Sequence, residues 1–243
     1  MPLPPASAKS PSVAVVIPTL NEAESIGPVV TSLPKDIVDR VIVADGGSTD
    51  ETAERARRAG AEVVNAGKGY GRACLGGAEA ADTDIVVFMD GDGADDPAAI
   101  RSIVVPIRAG EFDFVIASRA RGERERGSMS SHQVLAGLAA GWLIRLLYGV
   151  RYTDMCALRA IRRESLLALG MREMTYGWNL EMQMRAARAR YRILEVPVPY
   201  RRRLGGTSKV SGSLRGTLVA GTRILATFMR IALEPVRRER KGH

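Results

Sequence analysis

The stretch "DIVVFMDGDGADDP" (residues 84–97) joins two opposed tendencies. "DIVVFM" is a short apolar run of the kind buried on both faces of a parallel sheet. Four aspartates follow within seven positions, Asp90, Asp92, Asp95 and Asp96. Carboxylates crowded at a strand end repel one another and resist desolvation, so a compensating partner is required there. Asp90 and Asp92 are separated by one residue, and alternate side chains of an extended segment share a face, so both can approach one cation. A hard divalent ion such as magnesium or manganese takes oxygen ligands and keeps positions open for substrate phosphates. Gly91 and Gly93 remove side chains where a ligand must come close. Asp95 and Asp96 are expected to cap the next helix, with Pro97 at its first position.

Outward from this stretch the chain alternates. "VAVVIP" (13–18), "RVIVAD" (40–45), "AEVVNAG" (61–67) and "FDFVIASR" (112–119) read as strands, separated by helical segments. In the first helical segment Asn21 is the expected cap and Glu22 and Glu24 lie in its first turn. The second begins with the box-type cap Ser48-Thr49-Asp50-Glu51 and stops at Gly60. Strands alternating with helices imply crossover units, a mostly parallel sheet, and a ligand crevice at the carboxyl ends of the strands. Asp45, Asp90 and the pair Ser118-Arg119 all fall at such ends.

The composition narrows the function classes. The chain has 243 residues, 46% of them hydrophobic, enough for one large domain with a real core. There are 35 Lys and Arg against 27 Asp and Glu, a net charge of +8, which fits phosphorylated ligands, an anionic membrane surface or nucleic acid. The last is disfavoured, since aromatic residues are 5% of the chain and no base-stacking platform is visible. Two cysteines, Cys74 and Cys156, argue for a reducing compartment, and two histidines leave little room for zinc. Residues 1–12 are Pro/Ser-rich and read as a disordered lead-in. Residues 134–150 and 214–233 are apolar but interrupted by arginines, short of the roughly 20 apolar residues of a membrane crossing.

Several motifs together carry a resemblance. "VIPTLNEAESI", "VIVADGGSTDET", "GKGYGRACLGG", "FMDGDGADDP" and "FVIASR" occur in the order seen in family 2 inverting glycosyltransferases of GT-A fold. "TDMCALRAIRRESL", "TYGWNLEMQMRAARA" and "EVPVPYRRRLGGTSKVSG" look like the dolichol-phosphate mannose and glucose synthase branch. The resemblance implies an α/β domain over residues 13–212, with a Rossmann-like nucleotide-binding half and helices on both faces of the sheet. It implies a nucleotide-sugar donor, GDP-mannose or UDP-glucose, and a polyprenyl-phosphate acceptor. It implies that Pro18, Asn21 and Glu22 line the nucleoside pocket and that Asp45 meets the base or ribose. Asp90 and Asp92 then match the metal motif, Arg119 faces the acceptor phosphate, and Lys209 of the "GTSK" segment closes over the diphosphate. Ala94 stands where these synthases often carry a glutamine near the metal, which makes Asp95 a candidate substitute. A homo-oligomer is compatible with this reading.

The residues supply the chemistry such a transfer needs. A departing diphosphate must be neutralised, and a cation on two carboxylates does so electrostatically. A lipid phosphate is already an anion, whereas a hydroxyl acceptor requires a carboxylate base, with Glu181 or Asp154 the nearest candidates. The plainer reading of Glu181 is a solvated helical carboxylate paired with Arg185 at i,i+4. Lys68 and Arg72 of the Gly-rich segment can touch phosphate, and Arg124 or Arg126 of "SRARGERERG" can hold an anionic acceptor. Residues 213–243 read as a basic amphipathic helix and tail, with Arg215, Arg223 and Arg230 on one stripe opposite Leu218, Ile224, Leu225, Phe228 and Ile231. A helix of that type lies in a membrane interface, which predicts a cytoplasmic, peripherally membrane-associated enzyme. The same enzyme acting on a soluble acceptor is the alternative, and a sugar-nucleotide pyrophosphorylase is disfavoured because no N-terminal Gly-rich basic signature is present.

Overall fold

The structure, a computed structural model, describes residues 10–205 and 214–235. The run Val13–Thr19 forms β1, buried at every position as a strand covered on both faces must be. It is followed by α1 (Ile26–Ser32), β2 (Arg40–Asp45), α2 (Thr52–Arg58), β3 (Glu62–Asn65), α3 (Tyr70–Ala80), β4 (Ile85–Phe88), α4 (Ala99–Arg108) and β5 (Phe114–Ser118). The expected alternation holds through this half, and β1 to β4 pair in parallel. The remainder consists of α5 (Ser131–Tyr148), β6 (Arg159–Arg162), α6 (Arg163–Ala168), α7 (Trp178–Arg188), β7 (Ile193–Pro197) and α8 (Leu214–Leu233).

The sheet has seven strands in the order β3-β2-β1-β4-β6-β5-β7. β6 enters between β4 and β5 and runs antiparallel to both, while β7 pairs in parallel with β5. Neither β6 nor β7 stands out in the sequence. β6 is four residues long and begins and ends with arginine, so it shows no apolar run. From β1 the chain builds outward through β2 to β3, then returns to place β4 on the other side of β1. That reversal opens a crevice at the carboxyl ends of β1 and β4, the place where a doubly wound sheet binds ligands. The acidic stretch Asp90–Asp96 begins two residues beyond β4 and so lies at this switch point.

Two helix starts differ from expectation. Asn21 does not cap α1, which begins at Ile26. It adopts a left-handed backbone (φ 53°), accepts a bond from the Thr49 amide at 2.9 Å, and donates its own amide to Ser48 Oγ at 2.9 Å. Asn21 therefore ties the loop after β1 to the loop after β2. Glu22 and Glu24 precede α1 rather than occupying its first turn. α2 likewise begins at Thr52, after the Ser48–Glu51 segment, and Asp50 Oδ1 accepts the Thr52 amide at 3.0 Å.

α8 packs against α7. Ile231 and Thr227 are buried, while Leu225, Met229 and Leu233 are exposed. The expected arginine stripe does not face away from this contact. Arg230 turns inward and donates to Glu181 Oε1 at 3.1 Å, whereas Arg223 is exposed. Arg215 lies among residues whose side chains are outside the described set. Glu181 also accepts Arg185 Nε at 2.9 Å and the amides of Arg172 and Glu173 at 2.9 and 2.5 Å. Burial pushes its pKa up, but the Glu173 amide, Arg185 and the Arg172 amide outweigh this and hold it below the usual range. The expected i,i+4 pair of Glu181 with Arg185 is present, but the carboxylate is buried rather than solvated. It is a fully buried anchor that clamps α8 onto α7. Glu181→Ala removes the buried partner of Arg185 and Arg230 and leaves both to Glu234 alone, and chemical denaturation should show a loss of about 2–3 kcal/mol. A loss under about 1 kcal/mol would mean that α8 is held by apolar contact alone.

Candidate active site

The loops after β1 and β4 open onto a cavity of about 680 Å³, within the range that encloses a substrate or cofactor. One wall is Pro18, Thr19 and Glu22 together with Asp90, Gly91 and Asp92. Lys68, Gly69 and Tyr70, at the start of α3, form a second. Arg119, Asp154, Tyr200 and Arg203 stand at the back, while α5, α7 and α8 close the remaining side with Gly137, Asn179 and Ile224 among others.

The acidic loop is held from within. Asp92 Oδ1 accepts the Ala94 amide at 2.9 Å, and its Oδ2 accepts Arg203 at 2.5 Å. Asp90 Oδ1 accepts the Tyr70 hydroxyl at 3.2 Å. A Cβ on Gly91 would sit 3.0 Å from Thr19 Cγ2, so glycine lets the loop lie against β1. Asp96 forms a turn ahead of α4, accepting the Ala98 amide at 3.2 Å and, through its carbonyl, the Ala99 amide at 3.0 Å, but the helix begins at Ala99 rather than Pro97 and its cap position is Ala98. Asp95 does not cap it either. Its side chain is buried under the loop, where Oδ2 accepts the Asp90 amide at 3.4 Å and Oδ1 lies 4.0 Å from Cys156 Sγ.

The electrostatics follow from that crowding. Burial, followed by the negative charge of Asp90, pushes the Asp95 pKa up to about 8. Burial, followed by the charge of Asp92, pushes Asp90 up to about 6. Arg119 lowers both, but its guanidinium is already committed. Arg119 Nε and NH2 donate to Asp154 Oδ2 and Oδ1 at 2.8 Å each, and the Arg119 amide donates to Oδ2 at 2.9 Å. The same guanidinium lies 5.0 Å from the Tyr200 ring centroid, a stacking that fixes its plane. Burial raises the Asp154 pKa, yet the bonds from Arg119 leave it below the usual carboxylate range. Asp154 is therefore a locked ion-pair partner, a poor proton acceptor.

A divalent cation fits this donor set. Asp90 and Asp92 are hard oxygen donors on one loop, and the raised pKa of Asp90, caused by burial and then by the charge of Asp92, shows a site short of positive charge. Among the described residues no group of three or more His, Cys, Asp or Glu forms a closed metal cage. The arrangement is of the open kind, which leaves coordination positions for phosphate oxygens.

The structure brings Pro18, Glu22, Lys68, Asp90, Asp92 and Arg119 to one cavity and leaves other expected residues outside its lining. Glu181 is buried in the α7–α8 clamp. Asn21 is committed to the β1 and β2 loops. Asp45 accepts the Ser48 and Gly47 amides at 3.0 and 3.2 Å, shaping the turn from which Gly46 reaches the cavity. Arg126 lies on an exposed loop, where its carbonyl accepts the Arg202 guanidinium at 2.6 Å. Lys209 is outside the described residues. The Gly-rich segment has a packing purpose: a Cβ on Gly71 would fall 2.2 Å from the Glu173 carbonyl oxygen, so glycine admits that loop against α3. Sequence reasoning missed Tyr70, Tyr200 and Arg203 as wall residues. The "YRRR" run at 200–203 was the available signal, a cluster of cations with an acidic loop to match.

Known proteins resemble this chain in sequence and fold. Residues 14–170 match the Glycosyl transferase family 2 domain. An uncharacterized glycosyltransferase of Mycobacterium tuberculosis is 38% identical over 212 residues, 86% of this chain and 94% of its own. An undecaprenyl-phosphate mannosyltransferase of Micrococcus luteus is 31% identical over 223 residues, 85% of this chain and 90% of its own. Among solved structures, the glucosyl-3-phosphoglycerate synthase of Mycobacterium tuberculosis superposes with a TM-score of 0.72 at 25% identity, covering 93% of this chain and 82% of that one. That enzyme has also been crystallised with Mn2+, uridine diphosphate and phosphoglyceric acid. With the doubly wound sheet, the acidic loop at its switch point and these relatives together, the chain belongs to glycosyl transferase family 2 and is a glycosyltransferase.

Proposed function

We propose that the enzyme transfers a hexose, with inversion, from a nucleoside diphosphate sugar to a polyprenyl phosphate presented at a membrane surface. The observation that carries this reading is the junction of the acidic cavity with an exposed apolar face. On α5, Leu135, Trp142 and Leu146 are 67%, 63% and 70% exposed, and Leu138 lies on the same stripe. Gln133, Ala136 and Gly137 of that helix line the cavity, as do Gly221 and Ile224 of α8, whose Leu225, Met229 and Leu233 are also exposed. Apolar surface on this scale marks an interaction site, and arginines at its edge (Arg145, Arg223) suit anionic headgroups. Among the described residues no helix is long and apolar enough to cross a membrane, so contact would be peripheral. The Micrococcus mannosyltransferase, named for a polyprenyl phosphate, supports the lipid acceptor. The synthase neighbour, crystallised with phosphoglyceric acid, favours the second reading, a soluble phosphorylated acceptor.

In this mechanism Asp90 and Asp92 hold the divalent cation, magnesium or manganese, which when bound supplies the positive charge that lets the nucleoside diphosphate depart. Pro18 and Glu22 shape the nucleoside side of the cavity, and Lys68 reaches toward the diphosphate. Arg119, oriented by Asp154 and Tyr200, faces the acceptor phosphate. A phosphate oxygen forms the new bond to the anomeric carbon as the bond to the diphosphate breaks on the opposite face, which inverts configuration. The attacking oxygen is already anionic, so no base is required, consistent with Asp154 and Glu181 both being locked in ion pairs.

The cation assignment has a pH signature. In the cation-free protein Asp90 and Asp95 titrate near 6 and 8, above the roughly 4 of an unfolded aspartate. Their folded-state protonation favours the fold below about pH 4, and that contribution is lost as pH rises through about 6 and then 8. Manganese relieves the same repulsion, so its stabilising shift in melting temperature should be larger at about pH 7.5 than at about pH 5.5. Asp92→Asn should abolish both the shift and sugar transfer, with a rate loss of a hundredfold or more expected for a charge-neutralising site. A manganese shift that survives in Asp92→Asn, or is equal at both pH values, would move the cation elsewhere.

The acceptor assignment is tested on α5. The double variant Trp142→Glu/Leu146→Glu should lose roughly tenfold or more in affinity for anionic vesicles and in turnover of long-chain acceptors. A short, water-soluble prenyl phosphate should still be used at the wild-type rate. Unchanged vesicle binding and unchanged long-chain turnover would favour the soluble acceptor.

A further inference from the structure

The segment Tyr200–Gly205 straps the acidic loop from above. Tyr200 bridges to Asp95, the Arg201 amide donates to the Ala94 carbonyl at 3.0 Å, and the Leu204 amide donates to the Asp92 carbonyl at 2.9 Å. Within this strap Arg203 is placed unlike its neighbours. Arg201 pairs outward with Asp96, and Arg202 with the Arg126 carbonyl. Arg203 turns into the cavity and donates NH2 to Asp92 Oδ2 at 2.5 Å. Its NH1 is buried and has no hydrogen-bond partner among the described residues. An unmet guanidinium nitrogen beside a half-neutralised carboxylate cluster is costly, because a charged donor loses its water without receiving an acceptor. It marks a group whose full set of partners is completed by something that binds.

Two other guanidinium groups near the loop are held by partners of their own. Arg119 is held by Asp154, and Arg159, fully buried, donates to the carbonyls of Ala157, Asn179 and Cys156. Arg203 is the guanidinium paired directly with Asp92, on an oxygen that a divalent cation would also use. We propose that Arg203 is the resident counter-cation of the donor-free site, displaced from Asp92 when a divalent cation enters and re-partnered by the incoming diphosphate. This rests on the reading that Asp90 and Asp92 hold a metal. A guanidinium matches phosphate oxygens bidentately and is weakly hydrated, so the exchange gives NH1 the acceptor it lacks. Arg203 then makes cation binding and nucleotide binding interdependent. Cation alone must break the Arg203–Asp92 pair without recompense, whereas cation with diphosphate breaks it and replaces it. By linkage the same coupling acts in both directions. The site would discriminate against the bare ion and accept it with its phosphate cargo.

The test measures manganese binding itself, by electron paramagnetic resonance of the free ion, with and without uridine or guanosine diphosphate. Four proteins are compared: wild type, Arg203→Met, Arg203→Lys and Asp92→Asn, each checked for an unchanged circular dichroism spectrum. Without nucleotide, Arg203→Met should bind manganese roughly tenfold tighter than wild type, and Arg203→Lys, which keeps the charge, should bind close to wild type. Nucleoside diphosphate should tighten manganese binding in wild type and much less in Arg203→Met. Manganese binding by Arg203→Met that is equal to or weaker than wild type would make Arg203 a structural tie and overturn the proposal. So would an undiminished nucleotide effect in that variant. If Arg203→Met is misfolded, Arg203→Lys decides: a nucleotide effect preserved with the charge supports the exchange, and its loss opposes it. Asp92→Asn binding manganese as well as wild type would instead remove the metal from this loop, and with it the reading on which the exchange depends.

Discussion

The organising constraint of this molecule is the confinement of Asp90, Asp92 and Asp95 at the end of β4, where two of the three are nearly or fully buried. Three carboxylates cannot all be ionised there without a cation, and the raised pKa values of Asp90 and Asp95 express that conflict. The surroundings are arranged to contain it. Tyr70 donates to Asp90, Gly91 lets the loop lie flat on β1, and the strap carrying Arg203 clamps it from above. A purely structural loop would have replaced these acids with neutral residues. Their placement at the switch point of the sheet is the physical reason to regard this as a site poised for positive charge and phosphate.

The same economy shapes the rest of the cavity. Arg119 is made useful by being made immobile, since Asp154 and Tyr200 fix its plane before any ligand arrives. Glu181, Arg185 and Arg230 secure α8, and because α8 contributes Gly221 and Ile224 to the cavity, that clamp sets the shape of that wall. Core polar contacts at a distance from the chemistry thus determine where the apolar outer surface meets the acidic floor.

Much of the fold was legible because its first half repeats a strong physical pattern: continuous β-branched runs separated by helices with polar starts. β6 and β7 were not, since a four-residue strand bounded by Arg159 and Arg162 is stabilised by its neighbours rather than by its own pattern. In the site, the Asp-Gly-Asp spacing revealed Asp90 and Asp92, while Asp95 read as a cap because sequence spacing does not disclose burial. Glu181 looked exposed and available at i,i+4 from Arg185. The long-range partner Arg230, 49 residues away, is what buries it, and no local pattern announces such a contact. Arg203 escaped for the same reason, its partner Asp92 lying 111 residues earlier.

The central claim is that the acidic cavity and the apolar face beside it serve one reaction, hexose transfer onto a lipid phosphate. Incubating the enzyme with manganese, a polyprenyl phosphate in detergent, and labelled GDP-mannose or UDP-glucose, followed by mass spectrometry and anomeric analysis of the lipid fraction, tests it most directly. A single hexosyl phosphoprenol of inverted configuration is expected, absent when manganese is chelated. Transfer confined to a water-soluble phosphorylated acceptor, with the lipid phosphate left unmodified by either donor, would contradict it.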